Sequence, residues 1–216
     1  MHRKPHSALP AICIVFVAVL ACINAGATPW PVNRARVPVP FDDPPKEMPS
    51  LELPKGATNL AAAKPVTSST ELPLIGLLAQ ITDGKRKDSD DTFVEIGSGK
   101  QYVQIDLKTN SALYAVWLWY RHPVESYVVP YDIVVRISSD TNFTEGATTV
   151  FNCDHDNSSG LGIGKDRHFA SSRYGKLISF RPVKGRYVRV YSNGSSNSDT
   201  TSYVEIEVHG IPPPAQ

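Results

Sequence analysis

Alternation of apolar and polar residues gives the clearest structural signal in residues 185–210. In the first part of this stretch, Val188 and Val190 fall on one side of an extended chain, with polar or aromatic residues between them. A period of two is typical of a β-strand that is buried on one face only. Residues 192–202 follow without a large apolar side chain, which predicts an exposed loop between two strands.

The second strand of this pair alternates in the same way. Val204, Ile206 and Val208 share one predicted face, and Glu205 and Glu207 share the other. We therefore expect the three valine and isoleucine side chains to point together into the core, with the last strand of the chain closing a sheet.

Earlier segments predict the rest of that sheet. Residues 101–107 and 132–138 alternate, and residues 113–120 are apolar on both faces, as in a strand that is covered on each side. Residues 148–151 and 177–180 are shorter candidates, and no long amphipathic helix is predicted. Short strands joined by polar, glycine-containing connections indicate an all-β sandwich.

The first 27 residues have the features of an export signal. A basic start precedes an apolar stretch at residues 8–22, and small residues at 25–27 match a signal peptidase site. An uncleaved anchor is an alternative, although the apolar stretch is short for a membrane span. A second alternative is a bacterial lipoprotein whose acylated Cys22 tethers it. The protein is thus expected to be secreted or held in the cell envelope.

A proline-rich segment follows the signal. Residues 28–55 contain eight prolines, which disfavour a regular helix or central strand and favour an extended linker. The alternative is a segment that packs along the domain, with Phe41 or Leu51 as its anchor. The folded domain is predicted for residues 56–211, with a short tail at 212–216.

Charge and cysteine content limit the function. The chain has 22 Lys and Arg against 21 Asp and Glu, which argues against binding to nucleic acid or an anionic membrane surface. Two of three cysteines lie in the signal, so no disulfide is possible within the mature domain. Cys153 is predicted to be a small buried residue; a catalytic thiol is the alternative, without a supporting signature.

Several motifs in order resemble the discoidin, or coagulation factor type C, domain. They are NLA (59–61), PVTSS (65–69), ITDG (81–84), QYVQIDL (101–107), SSD (138–140) with Phe143, GRYVR (185–189) and VEIEV (204–208). This resemblance implies a galactose-binding-like jelly-roll β-sandwich over residues 56–210. The chain lacks the terminal disulfide of the eukaryotic members. Its segment 151–166 resembles instead a variant of secreted bacterial proteins.

The resemblance also implies one structural Ca²⁺, because related carbohydrate-binding modules often hold such an ion. Asp83, Thr92 and Glu205 stand at the corresponding positions, and Ca²⁺ prefers several oxygen ligands on a flexible loop. The alternatives are a turn that Asp83 makes with its own backbone, and pairing of Glu205 with a basic residue. The basic residues considered as partners or as replacements for the ion are Arg186, Arg189, Lys85, Arg86 and Lys87.

A second polar cluster consists of Asp154, His155, Asp156 and Asn157. Its glycine, Gly160, falls one place too late for an EF-hand, and a lysine replaces the terminal glutamate. Two interpretations stay open. The segment forms a series of Asx turns, or it is a loop that contacts a ligand.

Aromatic and polar residues at the end of a strand form the third candidate. Tyr120, Arg121 and His122 follow Trp117 and Trp119. Sugars bind to aromatic faces, with a few polar groups that fix their hydroxyls, so the three residues are candidate sugar ligands. The two tryptophans are predicted to pack between the sheets.

No catalytic motif accompanies these candidates. The chain has no Gly-x-Ser-x-Gly elbow, no His-Glu-x-x-His zinc motif and no phosphate-binding loop. We therefore expect a non-catalytic binding module for carbohydrate, with a glycan or cell-surface polymer as partner. The alternative is an adhesive domain that binds another protein. Contact with a membrane is expected only through lipid on Cys22.

Overall fold

The computed structural model describes residues 40–123 and 128–214. The predicted signal, including Cys22, and residues 28–39 of the proline-rich segment lie outside the described residues. Within those two ranges, no helix is long and apolar enough to cross a membrane.

The described residues contain ten strands and one short 3₁₀ helix, Leu78–Thr82. In chain order the strands are β1 (Phe41–Asp42), β2 (Thr58–Asn59), β3 (Val66–Ser68), β4 (Val94–Ile96), β5 (Lys100–Tyr120), β6 (Val134–Ser138), β7 (Thr148–Asn152), β8 (His168–Phe169), β9 (Lys176–Asn193) and β10 (Thr201–Ile211).

Two long strands, β5 and β9, connect the two layers of the sandwich. Residues 100–106 of β5 pair antiparallel with residues 187–193 of β9, and residues 111–118 pair with residues 176–185. The first half of β5 is flanked by β3, whereas its second half is flanked by β10. The register is irregular between the two halves, where each strand passes from one layer into the other.

A single hydrophobic core lies between these layers. Val103 and Ile105 from the first half of β5, Leu113 from its second half, Val190 from β9 and Ile206 from β10 are all fully buried in it. Side chains from both layers thus meet in one core, as the alternating pattern predicted, and the all-β sandwich is confirmed.

The sequence pattern predicted several short strands where the structure has two long ones. Residues 101–107 and 113–120 belong to one strand, and so do residues 177–180 and 187–191. The polar residues between them suggested connecting loops. They remain within the strands, with a left-handed φ of +72° at Lys108, and residues 108–110, 181, 182 and 184 are exposed where the strands change layer.

A β-bulge in β10 changes which side chains point inward. The register shifts between Tyr203 and Glu205, so that the residue between them turns to the outer face. Tyr203, Ile206 and Val208 lie in the main core, whereas Val204 packs in a separate cluster. The prediction that Val204 shares the face of Ile206 is therefore wrong.

The tryptophans of β5 are buried, but not between the two layers. Val116 and Leu118 take the inward positions of this strand, and Trp117 and Trp119 lie on its opposite face. There they form a second cluster, which Leu51 of the N-terminal segment covers in part. Their predicted burial is confirmed, and their predicted place between the sheets is wrong.

The described part of the N-terminal segment packs on the domain. Strand β1 pairs in parallel with β8, and Phe41 lies against a small cluster of Val129, Tyr131 and Ala170. Leu51 contacts the tryptophan cluster. Both residues considered as anchors thus hold residues from 40 onwards to the sandwich.

Cys153 is a buried residue of the main core, as predicted. Burial raises the pKa of its thiol to about 12. The thiol is therefore protonated at neutral pH, which disfavours nucleophilic chemistry at this residue.

Candidate functional site

A cavity of about 150 Å³ opens beside the end of β5, and we call it the Arg121 cavity. Its walls come from the end of β5, from the segment before β6 and from the loop between β9 and β10. The lining residues are Glu95, Tyr120, Arg121, Pro123, Val128, Pro130, Ser195, Asn197, Ser198, Thr200, Thr201 and Ser202. Hydroxyl, amide and charged groups therefore surround a small apolar surface.

Arg121 is held in place at one side of this cavity. Its Nη2 donates to Asp90 Oδ1 at 2.5 Å, and its guanidinium lies 4.0 Å from the centre of the Phe93 ring. Its backbone N–H donates to the carbonyl of Ser202 at 3.0 Å. Stacking and pairing reduce the conformational freedom that a guanidinium loses when it binds a ligand.

Glu95 fixes the opposite wall. Its Oε1 accepts a hydrogen bond from the hydroxyl of Thr200 at 3.0 Å, and its Oε2 accepts one from Ser202 at 3.3 Å. The loop between β9 and β10 begins at Gly194, whose φ of +75° is in the region that glycine favours. A Cβ there would lie 2.9 Å from the carbonyl oxygen of Ser198. The loop conformation thus depends on glycine.

The structure separates the three residues predicted at the end of β5. Arg121 lines the cavity. Tyr120 also contributes to its wall, but the ring packs in the core 5.0 Å from Tyr203, and burial raises the pKa of its hydroxyl. His122 is not among the lining residues; its backbone N–H donates to Asp88 Oδ2 at 2.7 Å.

The four polar residues at 154–157 lie in a different loop. Residues 153–166, here called the Asp154 loop, are held by hydrogen bonds from backbone N–H groups to side chains. Asp154 Oδ2 accepts from Ser159 at 2.8 Å, and Asn157 Oδ1 accepts from Gly162 at 2.7 Å. His155 Nε2 lies 2.7 Å from a backbone carbonyl of the same loop. Asn152 Oδ1 accepts from Asp154 N–H and Asp156 Oδ1 accepts from Ser158 N–H, each at 2.9 Å, so Asx turns, one of the two alternatives, are present.

Three aspartates meet at this loop. Carboxylate oxygens of Asp132, Asp154 and Asp156 all lie within 4.8 Å of one another, and this group could hold a metal ion. Asp132 comes from the segment before β6, more than twenty residues away along the chain. Reasoning from the sequence missed it because no local spacing connects it to the other two.

The Asp83 loop, residues 83–92, brings the predicted calcium ligands into one region. Lys85 N–H donates to Asp83 Oδ1 at 2.9 Å, and its Nζ lies 3.1 Å from the other carboxylate oxygen. Gly84 N–H donates to Glu205 Oε2 at 3.0 Å. The hydroxyl of Thr92 donates within the loop, to a backbone carbonyl at 2.7 Å.

Glu205 is the most unusual carboxylate of this region. It is fully buried, and its Oε1 has no hydrogen-bond partner in residues 40–123 and 128–214. Burial raises its pKa to about 8. Pairing with Arg186 or Arg189 is wrong, because these residues belong to the other layer. They contact Asp106 at 2.7 Å and Gln104 at 2.8 Å, respectively.

Arg86 occupies a further part of this region. Its Nε donates to Glu207 Oε1 at 2.8 Å, and its guanidinium lies 4.9 Å from the centre of the Trp119 ring. Burial alone would raise the pKa of Glu207, but hydrogen bonds from His209 and Arg86 together lower it. A basic side chain thus supplies positive charge to the Asp83 loop.

No protein family matches the chain by sequence, and no curated protein matches it either. Solved structures do resemble it. One is a mutant of chitosan-binding module 1 from a Paenibacillus sp. IK-5 chitosanase/glucanase, at 19% identity and a TM-score of 0.50, covering 70% of this chain and 98% of that one. A pectin-binding carbohydrate-binding module has the same identity and TM-score, with coverage of 68% and 91%. The module CpGH89CBM32-5 from Clostridium perfringens, in complex with GalNAc-β-1,3-galactose, has 16% identity and a TM-score of 0.50, with coverage of 70% and 99%.

These similarities define the class of fold. The chain has the galactose-binding-like jelly roll of discoidin-type domains, which the sequence motifs predicted. Nearly the whole length of each compared module aligns with this chain, which agrees with one jelly-roll domain in the described residues.

Proposed function

We propose that this protein is a secreted or surface-tethered, non-catalytic carbohydrate-binding module, with the Arg121 cavity as its sugar site. The observation that carries the proposal is a cavity lined by a fixed arginine and by hydroxyl and amide groups, on a jelly roll similar to carbohydrate-binding modules. Export through residues 1–27, with Cys22 as a possible lipid anchor, is part of the same proposal.

The groups around the cavity suit sugar hydroxyls. Arg121 supplies donors, Glu95 supplies acceptors, and Asn197 supplies both. Val128 and Pro130 add apolar surface, against which the C–H groups of a sugar ring can pack. Small-molecule sites commonly combine such apolar walls with a few fixed polar groups.

The similar modules support the class of ligand. Their descriptions name chitosan, pectin and GalNAc-β-1,3-galactose, which are three different carbohydrates. A fold that carries different sugar specificities on its loops supports carbohydrate as the ligand class for this chain, without selecting one sugar.

The composition of the cavity supports binding without catalysis. Glycosidases commonly use two carboxyl groups that flank the bond to be cleaved. Among the described lining residues, Glu95 is the only carboxylate, and two hydroxyls already donate to it. We therefore expect bound oligosaccharides to be recovered intact after prolonged incubation, as chromatography of the sugar can check.

The test is a glycan array followed by calorimetry with the best sugar. Arg121→Gln removes the cationic donor and should weaken binding by at least about tenfold, as loss of a charged hydrogen bond does. Arg181→Gln changes an exposed arginine of β9 and should bind like the wild type. Absence of binding to every sugar by the folded protein would refute the proposal.

One observation favours the alternative of an adhesive domain. Leu72, Leu74 and Leu77 precede or begin the 3₁₀ helix segment and are 76%, 62% and 70% exposed. Exposed apolar groups of this kind mark some protein-binding surfaces. A pull-down of a protein partner that survives competing sugar but is lost in Leu74→Asp would support this alternative.

We further propose a structural Ca²⁺ at the Asp83 loop, with Asp83, Thr92 and Glu205 as its ligands. The buried, unpartnered Oε1 of Glu205 supports a cation there, since an orphaned buried oxygen needs a proton or a positive charge. Lys85 competes for Asp83, so the affinity should be modest. Ca²⁺ should raise the melting temperature of the wild type, and Glu205→Gln should remove that increase.

A further inference from the structure

A buried histidine lies beside the three clustered aspartates. His168 in β8 is 1% exposed, and neither of its ring nitrogens has a hydrogen-bond partner among the described residues. Its Nε2 lies 3.7 Å from Asp132 Oδ1, and Asp132 belongs to the group that Asp154 and Asp156 complete. Buried imidazoles normally form hydrogen bonds, and one without any requires an explanation.

We propose that Asp132, Asp154, Asp156 and His168 form a binding site for a divalent transition cation, with Mn²⁺ as its representative. A cation bound among the three carboxylates would draw them together. A small shift of the His168 side chain, whose Nε2 lies 3.7 Å from Asp132 Oδ1, would add the orphaned nitrogen as a fourth ligand. The site is separate from the Asp83 loop, and the inference does not depend on sugar binding.

The fold brings the four ligands together from three segments. Asp132 precedes β6 with a φ of +53°, a conformation that aspartate and asparagine tolerate better than most residues. Its Oδ2 accepts hydrogen bonds from Ser158 and from Asn193, each at 2.9 Å. His168 is fixed by the pairing of β8 with β1. The side chains are thus positioned before any ion binds.

Asp154 keeps the capacity to bind a metal although its oxygens already accept hydrogen bonds. Its Oδ1 accepts from the backbone N–H and the hydroxyl of Ser158, at 3.1 Å and 3.4 Å, whereas its Oδ2 accepts one hydrogen bond, from the backbone N–H of Ser159 at 2.8 Å. A carboxylate oxygen has two lone pairs, so one hydrogen bond leaves a site for a cation. Such bonds orient ligands in known metal sites.

The donor set selects the kind of metal. Three carboxylates suit hard divalent ions such as Mn²⁺, Mg²⁺ and Ca²⁺, whereas an imidazole nitrogen favours transition metals over Ca²⁺ and Mg²⁺. A mixed set of three carboxylates and one imidazole is therefore expected to bind Mn²⁺ or Zn²⁺ more tightly than Ca²⁺.

Calorimetric titration of the full chain with Mn²⁺, and with Ca²⁺ in the Glu205→Gln background so that the Asp83 loop does not contribute, tests this site. We expect one Mn²⁺ site that binds more tightly than Ca²⁺. His168→Gln should weaken Mn²⁺ binding by about tenfold or more, and weaken Ca²⁺ binding less, because it removes the nitrogen ligand. Asp132→Asn, which keeps the backbone conformation, should weaken binding of both ions.

Two matched controls separate this site from other carboxylates. Asp166→Asn changes an aspartate of the same loop outside the group, and Glu205→Gln changes the Asp83 loop. Both should keep the affinity for Mn²⁺ within about twofold of the wild type. If Glu205→Gln abolishes Mn²⁺ binding instead, the ion belongs to the Asp83 loop and the inference is wrong.

A second measurement does not depend on how well the variants fold. In the wild-type protein, substoichiometric Mn²⁺ should broaden the ring resonances of His155 and His168, whose ring centres are 5.2 Å apart, before those of His122 and His209. Broadening that begins elsewhere, or no Mn²⁺ binding at millimolar concentration, would overturn the inference.

Discussion

The Asp83 loop and the Asp154 loop are both rich in aspartate, but their carboxylates meet different partners. In the Asp83 loop, Lys85 lies 3.1 Å from Asp83, and Asp90 pairs with Arg121. At the Asp154 loop, backbone N–H groups, hydroxyls and an amide donate to the carboxylates, and a buried imidazole lies beside them.

This difference indicates how each loop balances its negative charge. Basic residues of the chain supply positive charge to the Asp83 loop, and through Asp90 the loop also holds Arg121 at the cavity. At the Asp154 loop, the buried imidazole of His168 has no hydrogen-bond partner among the described residues, and an external cation would satisfy it. We therefore expect the Asp154 loop to depend more strongly on metal than the Asp83 loop does.

The largest effect should follow from removal of the Arg86 guanidinium, the basic group of the Asp83 loop that pairs with Glu207. Arg86→Gln leaves Glu207, which is 3% exposed, without its guanidinium partner. Removing the partner of a buried carboxylate should lower the free energy of unfolding by about 3 kcal/mol, as measured by denaturant titration. Lys87→Gln removes an exposed charge from the same loop and should change it by less than about 0.5 kcal/mol. Equal losses in the two variants would contradict this role of Arg86.

Metal removal should affect the Asp154 loop next most strongly. At about 100 times its Kd, Mn²⁺ should raise the free energy of unfolding by about 2.7 kcal/mol, and EDTA should reverse the increase. Asp132→Asn should show neither change, whereas Glu205→Gln should show both. An increase that persists in Asp132→Asn would place the ion elsewhere.

A smaller effect is expected when the Asp83 loop loses the lysine that neutralises Asp83, which makes its carboxylate more available to an external cation. Lys85→Gln removes an ammonium group from Asp83 and should raise the affinity for Ca²⁺ by about twofold to threefold, since exposed ion pairs contribute about 0.5 kcal/mol. Lys85→Arg keeps the charge and serves as the control in the same calorimetric titration. An unchanged affinity in Lys85→Gln would show that the lysine does not compete with Ca²⁺.

The sandwich could be predicted because alternation along a strand directly reports which side chains are buried. Val103, Ile105, Val188 and Val190 all point inward as their pattern indicated. Val204 did not follow, because a bulge shifts the register by one residue and the apolar pattern contains no sign of it.

The candidate sites could be predicted only where their residues are neighbours in the chain. Arg121 follows a strand directly, and Asp154 and Asp156 share one loop. Asp132 and His168 lie outside this loop in the sequence, and the fold brings them close to it. Spacing along the sequence does not reveal such contacts. Glu95 was missed at the cavity for the same reason, since it lies opposite Arg121 on a different strand.

The most direct test of sugar binding at the Arg121 cavity is calorimetry with one sugar, in EDTA, on the wild type, Arg121→Gln and Asp132→Asn. Arg121→Gln should lose at least about tenfold in affinity, and Asp132→Asn should stay within about twofold, because its aspartate is not among the cavity's lining residues. A wild-type affinity in Arg121→Gln, or an equal loss in both variants, would contradict a sugar site at this cavity.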